Sequence, residues 1–145
     1  MIQRKANIND INQLLEVTKS FLFESKWGWT YNEANSINSF LLAITHDDMD
    51  VIVVDDGGIK AVSLLSIESD FTNEIIGDIV EFYVMPEARG TGASRALLKA
   101  SCDWFDEKSC VNVFVKATAN IGNDAAFINL FKKYNFNVFS NVLVR

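Results

Sequence analysis

The stretch from Asp78 to Phe105, DIVEFYVMPEARGTGASRALLKASCDWF, limits what this chain can fold into more than any other. It prescribes a strand, a short turn at the only proline, a glycine-bearing loop and an amphipathic helix. Val80, Phe82 and Val84 alternate with Glu81, Tyr83 and Met85, the period of two that gives a strand two different faces. Pro86 ends the strand because it has no amide hydrogen to offer a neighbour. Past Arg89-Gly90-Thr91-Gly92-Ala93-Ser94, apolar side chains recur at Leu97, Leu98, Cys102, Trp104 and Phe105. That spacing gives a helix one apolar face.

Glycines at a helix start have a chemical use. The unpaired amides of a first helical turn point out of the helix end, with the positive end of the macrodipole behind them. Glycine lets the backbone approach a ligand closely and adopt conformations closed to other residues. Arg89 adds a fixed charge, and Thr91 and Ser94 add hydroxyls. The set suits a pyrophosphate, and it equally suits a plain strand-to-helix turn. It is not a Walker loop, which needs a spaced Gly-Lys-Ser/Thr ending. Nor is it a dinucleotide fingerprint, since Arg95 occupies the place of the third glycine.

The run EFYVMPEARGTGASRALL resembles motif A of the GNAT N-acetyltransferases, in which a strand ending in "V-x-P" leads into R/Q-x-x-G-x-G/A. Arg89, Gly92 and Ser94 fall on its defining positions, with serine replacing the usual glycine or alanine. The resemblance implies binding of acetyl-CoA as co-substrate, its pyrophosphate on the amides of Arg89, Gly90, Thr91, Gly92, Ala93 and Ser94.

The remaining chain agrees with that family's order. Ile2 to Lys5 reads as a first strand, and Asn7 with Asp10 three residues on as a helix start. Ile8, Ile11, Leu14, Leu15 and Thr18 run along that helix, which is expected to fray between Ser20 and Glu24. A second helix is predicted from Glu33 to Thr45 with Asn32 as its cap. Val51–Val54 and Ile59–Ile67 form two strands around Asp55-Asp56-Gly57-Gly58, a strong hairpin turn. Strands follow at Asp78–Met85 and Val111–Lys116. A helix is expected over Asp124–Tyr134, with Ala125, Ile128, Leu130 and Phe131 apolar, and a closing strand over Phe136–Arg145. The order β-α-α-β-β-β-α-β-α-β predicts one α/β domain over residues 1–145, a mixed sheet with helices on both faces.

Composition excludes several function classes. Formal net charge is -6, which argues against nucleic acid as the main partner. No long apolar run or basic-then-apolar leader is present, so we expect no membrane span or signal peptide. Cys102 and Cys110 read as thiols of a reducing cytoplasm rather than a disulfide or metal site, and His46, the only histidine, as a helix-end residue.

Acetyl transfer requires an amine that loses a proton, a polarised thioester carbonyl and a stabilised thiolate. The resemblance assigns the electrophilic role to the Val84 backbone amide. Glu81 and Tyr83 share the strand face opposite Val80, Phe82 and Val84, toward the substrate side. Glu81 is a base, an anchor for a cationic substrate or a structural carboxylate, and Asp78 is a second candidate. The family's acid, a tyrosine in the last helix, aligns with Phe131, which would only line the cofactor. Tyr134 lies about one turn away and is a candidate for the role, unless the thiolate leaves with the help of solvent. Asn120 or Asn123 would contact the cofactor, unless Asn123 is only a helix cap. Trp27, Trp29 and Tyr31 fall where the family lines its acceptor site, or else pin the loop to the core. The reading is an N-acetyltransferase acting on a primary amine by direct attack in a ternary complex, without metal. The alternatives are an acyl-CoA-binding relative with little turnover and an enzyme for a longer acyl donor. Homodimerisation through the final strand stays open.

Overall fold

In the turn Asp55-Asp56-Gly57-Gly58, the Asp55 carboxylate accepts the Gly58 amide at 3.0 Å, and the Asp56 amide donates to the Gly58 carbonyl at 3.0 Å. Both glycines hold positive φ, 69° and 130°, which few other residues tolerate. The turn folds β2 (Met49–Asp55) onto β3 (Ile59–Ser69) as the sequence predicts. The computed structural model describes residues 1–25, 27–69, 71–116, 124–139 and 145. Among them β1 (Ile2–Lys5), β2, β3, β4 (Ile75–Val84) and β5 (Asn112–Val115) lie side by side in chain order. Every pair is antiparallel except β4–β5.

Alternation along β2 sends its side chains into two cores. Val51 and Val53 meet Leu14, Leu15 and Val17 of α1 (Ile11–Glu24) and Phe40 and Ala43 of α2 (Glu33–Thr45). Ile52 and Val54 meet Leu97, Leu98, Trp104 and Phe105 of α3 (Ala93–Glu107) and Phe131 of α4 (Asp124–Lys132). Burial on both faces is why β2 reads as a continuous apolar run. Each fully buried Leu, Val or Phe contributes roughly 1.5–3 kcal/mol. The mixed sheet with helices on both faces is therefore the observed architecture, in the predicted order through α4.

The caps behave as their residue types require. The Asn7 side chain accepts the Asn9 amide at 2.9 Å, and the Asp10 carboxylate takes the Asn7 amide at 2.8 Å, reciprocal bonds that start the helical run through a 3-10 turn, Ile8–Asp10. Arg4 bonds both Asp10 (2.7 Å) and Asp55 (2.8 Å), tying the helix start to the hairpin. Asn32 caps α2 by accepting the Asn35 amide at 2.9 Å, and His46 ends that helix.

Four details differ from expectation. Helix α1 continues through Ser20 to Glu24, held by a tertiary ion pair described below. Helix α4 stops at Lys132; Tyr134 lies in the turn beyond, and Asn135 takes the left-handed conformation at φ 66°. Phe127 packs inward on α4 whereas Ala125 is exposed. Phe136–Phe139 are not a strand, and the rest of the expected closing strand, 140–144, lies outside the described residues. No helix among the described residues is long and apolar enough to cross a membrane.

Candidate active site

The site begins where the described pairing of β4 with β5 ends. Ile76 to Ile79 pair with Asn112 to Val115, and beyond Ile79 the described part of β5 offers no partner. The same place carries a bulge: Leu65 faces Ile79 and Leu64 faces Glu81, so Val80 is the extra residue. A bulge bends its strand and re-aims the side chains after it. Ile79 (2% exposed) takes the inner position expected of Val80, and Val80 is half-exposed. Phe82 and Val84 still face α3, as predicted, and Tyr83 joins the α1–α2 core.

Backbone alternation then fixes the end of β4. The Met85 amide donates to the Lys60 carbonyl at 2.9 Å, on the β3 side. In an antiparallel ladder successive residues turn their polar groups to opposite sides, so the Val84 N–H points away from β3.

Pro86 starts a 3-10 turn, Pro86–Ala88, and the Thr91 hydroxyl donates to the Ala88 carbonyl at 2.6 Å, closing the next turn. Gly90 and Gly92 follow at φ 80° and 94°. An added Cβ at either would meet nothing within 4 Å, so backbone conformation rather than space demands glycine there. Helix α3 begins at Ala93, and its first internal bond runs from the Ala96 amide to the Gly92 carbonyl at 3.0 Å. The amides of Ala93, Ser94 and Arg95 thus have no intrahelical partner, and no side chain caps them. The Ala93 methyl is buried at 1% in the α3 core, which anchors the helix start against the sheet. Such a row of amides over a positive helix end fits a pyrophosphate.

Arg89 does not face that loop as the sequence suggests. Its Nε donates to the Val84 carbonyl at 3.1 Å, and Nη1 and Nη2 donate to Glu24 at 2.9 and 2.6 Å. The guanidinium also lies over the Tyr83 ring, 5.7 Å from its centroid. The Tyr83 hydroxyl donates to the same Glu24 carboxylate and is 2.8 Å from the Ser20 hydroxyl. With the phenol proton given to Glu24, the Ser20 hydroxyl is the donor in that second bond. Burial, and then the bond to Glu24, pushes the Tyr83 phenol up to about 12, while the Arg89 guanidinium holds the Glu24 carboxyl below its ordinary value. Tyr83 is only 6% exposed, so it braces the α1–β4 interface instead of offering a surface to substrate.

Glu81 projects from β4 on the face shared with Leu64. Its surface is open to solvent, yet burial raises its carboxyl above the ordinary range. Burial also raises Asp78, with Lys116 opposing and Glu68 reinforcing the shift.

The other expected site residues fall in three places. Phe131 is buried at 3%, stacked on Phe127 at 4.4 Å and edge-on to Phe82 and Phe136. It is a core residue, since its ring is enclosed by other rings. Tyr134 is half-buried, with its hydroxyl 3.4 Å from the Arg95 carbonyl on the first turn of α3. Trp27 and Trp29 stack at 5.8 Å on an exposed rim after α1, and Lys19 lies over the Tyr31 ring. Asn120 and Asn123 lie outside the described residues. Among the described residues no group of His, Cys, Asp and Glu is arranged to hold a metal ion, and Cys102 and Cys110 are free, half-buried thiols. Glu24 and Ser20 escaped the sequence, where they read as a fraying helix end.

A sequence model described as the acetyltransferase (GNAT) family matches residues 8–136. No curated protein matches the chain significantly. Among solved structures, an aminoglycoside antibiotic 6'-N-acetyltransferase from Acinetobacter haemolyticus is similar, with TM-score 0.78 and 16% identity over 100% of this chain and 97% of that one. Glucosamine-6-phosphate N-acetyltransferase from Arabidopsis thaliana has TM-score 0.78 and 16% identity over 99% and 96%. A predicted acetyltransferase from Clostridium acetobutylicum, solved with acetyl-CoA, has TM-score 0.76 and 19% identity over 99% and 94%. At these identities the likeness establishes the fold.

Proposed function

This chain belongs to the GNAT acetyltransferase family, and from that premise we propose that it transfers the acetyl group of acetyl-CoA to a primary amine by direct attack in a ternary complex. The observation that carries the reading is the uncapped α3 N-terminus that follows the β4 end, where the Val84 N–H points away from β3. Acetyl-CoA supplies the activated thioester. The amides of Gly90 and Gly92 to Arg95 hold its pyrophosphate, with the Arg95 side chain as the nearby cation. The Ser94 hydroxyl serves the same phosphates, while the Thr91 hydroxyl, donated to the Ala88 carbonyl, holds the loop that presents them.

Glu81 takes the proton from the attacking amine, and the Val84 N–H bonds the carbonyl oxygen as charge develops there. The C–N bond forms as the C–S bond breaks. Of the three tyrosines only Tyr134 lies on the α3 side, and its phenol returns a proton to the departing sulfur. Trp27 and Trp29 line the acceptor side. A primary amine is supported by neighbours named for aminoglycoside and glucosamine-6-phosphate acetylation, and by the negative charge of the chain.

Calorimetric titration of acetyl-CoA and CoA into the native chain and Gly92→Glu tests the cradle, with binding lost in the variant. Thiol release across a panel of amines, beside Glu81→Gln, then tests turnover. Absence of acetyl-CoA binding to the native chain sinks the reading. The buried phenyl ring of Phe131 favours one second reading, an acyl-CoA-binding module with little turnover. Binding without thiol release from any amine supports it.

A further inference from the structure

Helix α1 ends on a carboxylate that no motif required. Glu24 is gripped by both terminal nitrogens of Arg89 and by the Tyr83 hydroxyl, so its two oxygens are bonded from β4 and from the loop after it. The third nitrogen of Arg89 is spent on the Val84 carbonyl. Among the described residues no β5 residue pairs with Val84, so this carbonyl, turned away from β3, would otherwise stand as a second polar group beside the Val84 N–H. Capping it leaves the end of β4 presenting a donor and no competing acceptor. A strand end of that polarity receives a carbonyl oxygen.

We propose that Glu24 is a positioning residue: through Arg89 it keeps the Val84 carbonyl capped, so that the Val84 N–H alone addresses the thioester oxygen. The inference rests on the acetyl-CoA reading above. It makes Arg89 a strut rather than a phosphate ligand, because its charge is met by Glu24 and its fork is fully oriented toward α1 and β4. Glu24 touches neither substrate.

The test compares acetyl-CoA with CoA, which differ only by the group that meets Val84. In the native chain acetyl-CoA should bind about two- to tenfold tighter than CoA, the worth of one net hydrogen bond. Glu24→Gln should erase that ratio while CoA affinity stays within about twofold. Arg89→Lys keeps the charge but not the fork, and should erase it equally. The double variant should be no worse than either single one, as for residues acting in one chain of contacts. Infrared spectra of bound [1-13C]acetyl-CoA should show the carbonyl stretch lowered in the native chain and returned toward its free value in both variants. An unchanged ratio and stretch in Glu24→Gln would overturn the proposal. So would equal losses of acetyl-CoA and CoA affinity, which mean a merely structural brace, or equal gains, which mean that Glu24 masks a phosphate-binding Arg89. No binding of either compound by the native chain refutes the acetyl-CoA reading itself. Tyr83→Phe retains the ring under Arg89 and removes one bond to Glu24; if Glu24→Gln fails to fold, a reduced ratio in this variant still supports the proposal and an unchanged one opposes it.

Discussion

Substituting Gly77 by alanine isolates one contact that holds α3 on the sheet. A Cβ at Gly77 would lie 2.5 Å from both Cδ1 and Cε1 of Phe105. Carbon contacts settle at about 3.5–4.0 Å, so the ring or the helix must retreat by about 1 Å. Phe105 is 1% exposed and edge-on to Trp104 at 5.1 Å, which leaves the ring nowhere to swing. Overpacking of this kind costs about 1–3 kcal/mol. Alanine also restricts the unfolded chain, a gain of about 0.4–1 kcal/mol, available because Gly77 has no left-handed φ. The penalty wins. A net loss of about 1–2 kcal/mol is expected, or roughly 3–6 °C in Tm for a chain of this size. Urea denaturation should show a lower midpoint at unchanged slope. Phe105→Leu should cost less in the Gly77→Ala background than in the native one, since the smaller side chain relieves the clash. A variant within about 0.5 kcal/mol of native, or strictly additive behaviour in that cycle, refutes the packing account.

Gly92→Ala should leave the fold intact and weaken acetyl-CoA binding at least tenfold, because alanine resists a φ of 94° at the helix start; calorimetry reads it. Glu81 must be ionised to take a proton, and burial holds its proton on to higher pH, so kcat/KM should rise through an acid limb above the ordinary carboxylate range. Glu81→Gln should remove that limb and lower kcat by about 10²–10⁴ with acetyl-CoA affinity unchanged. Asp10, Glu24 and Asp55 are held below their ordinary values by hydrogen bonds from Arg4 and Arg89. Their stabilisation is full above the unfolded carboxylate values and lost as pH falls through the folded ones, so Tm should drop below about pH 5. Asp10→Asn should flatten that acid loss and lower stability at neutral pH by about 1–3 kcal/mol, measured by thermal scans against pH.

What could be read from the chain alone was whatever a short window encodes. The Asp55–Gly58 turn, the Asn7 and Asn32 caps, and the strand-proline-glycine-helix passage each depend on residues within a few positions of one another. The remainder depends on partners far along the chain. Glu24 and Arg89 are 65 residues apart, so the bond that prolongs α1 leaves no trace at Ser20–Glu24, where the local pattern simply weakens. Gly77 carries no periodic signal because the ring it accommodates comes from α3. The bulge at Val80 is the most instructive case. An uninterrupted period of two places Val80 with Phe82 and Val84, yet the extra residue transfers the inner position to Ile79. The residues after it keep their predicted faces, which is why Glu81 was correctly set opposite Phe82. Bulge, the end of the described β5 pairing and the capped Val84 carbonyl all fall within six residues of β4. Each departure from regular strand geometry there exposes or orients a backbone group, so the irregularities that defeat periodicity are the ones that build the site.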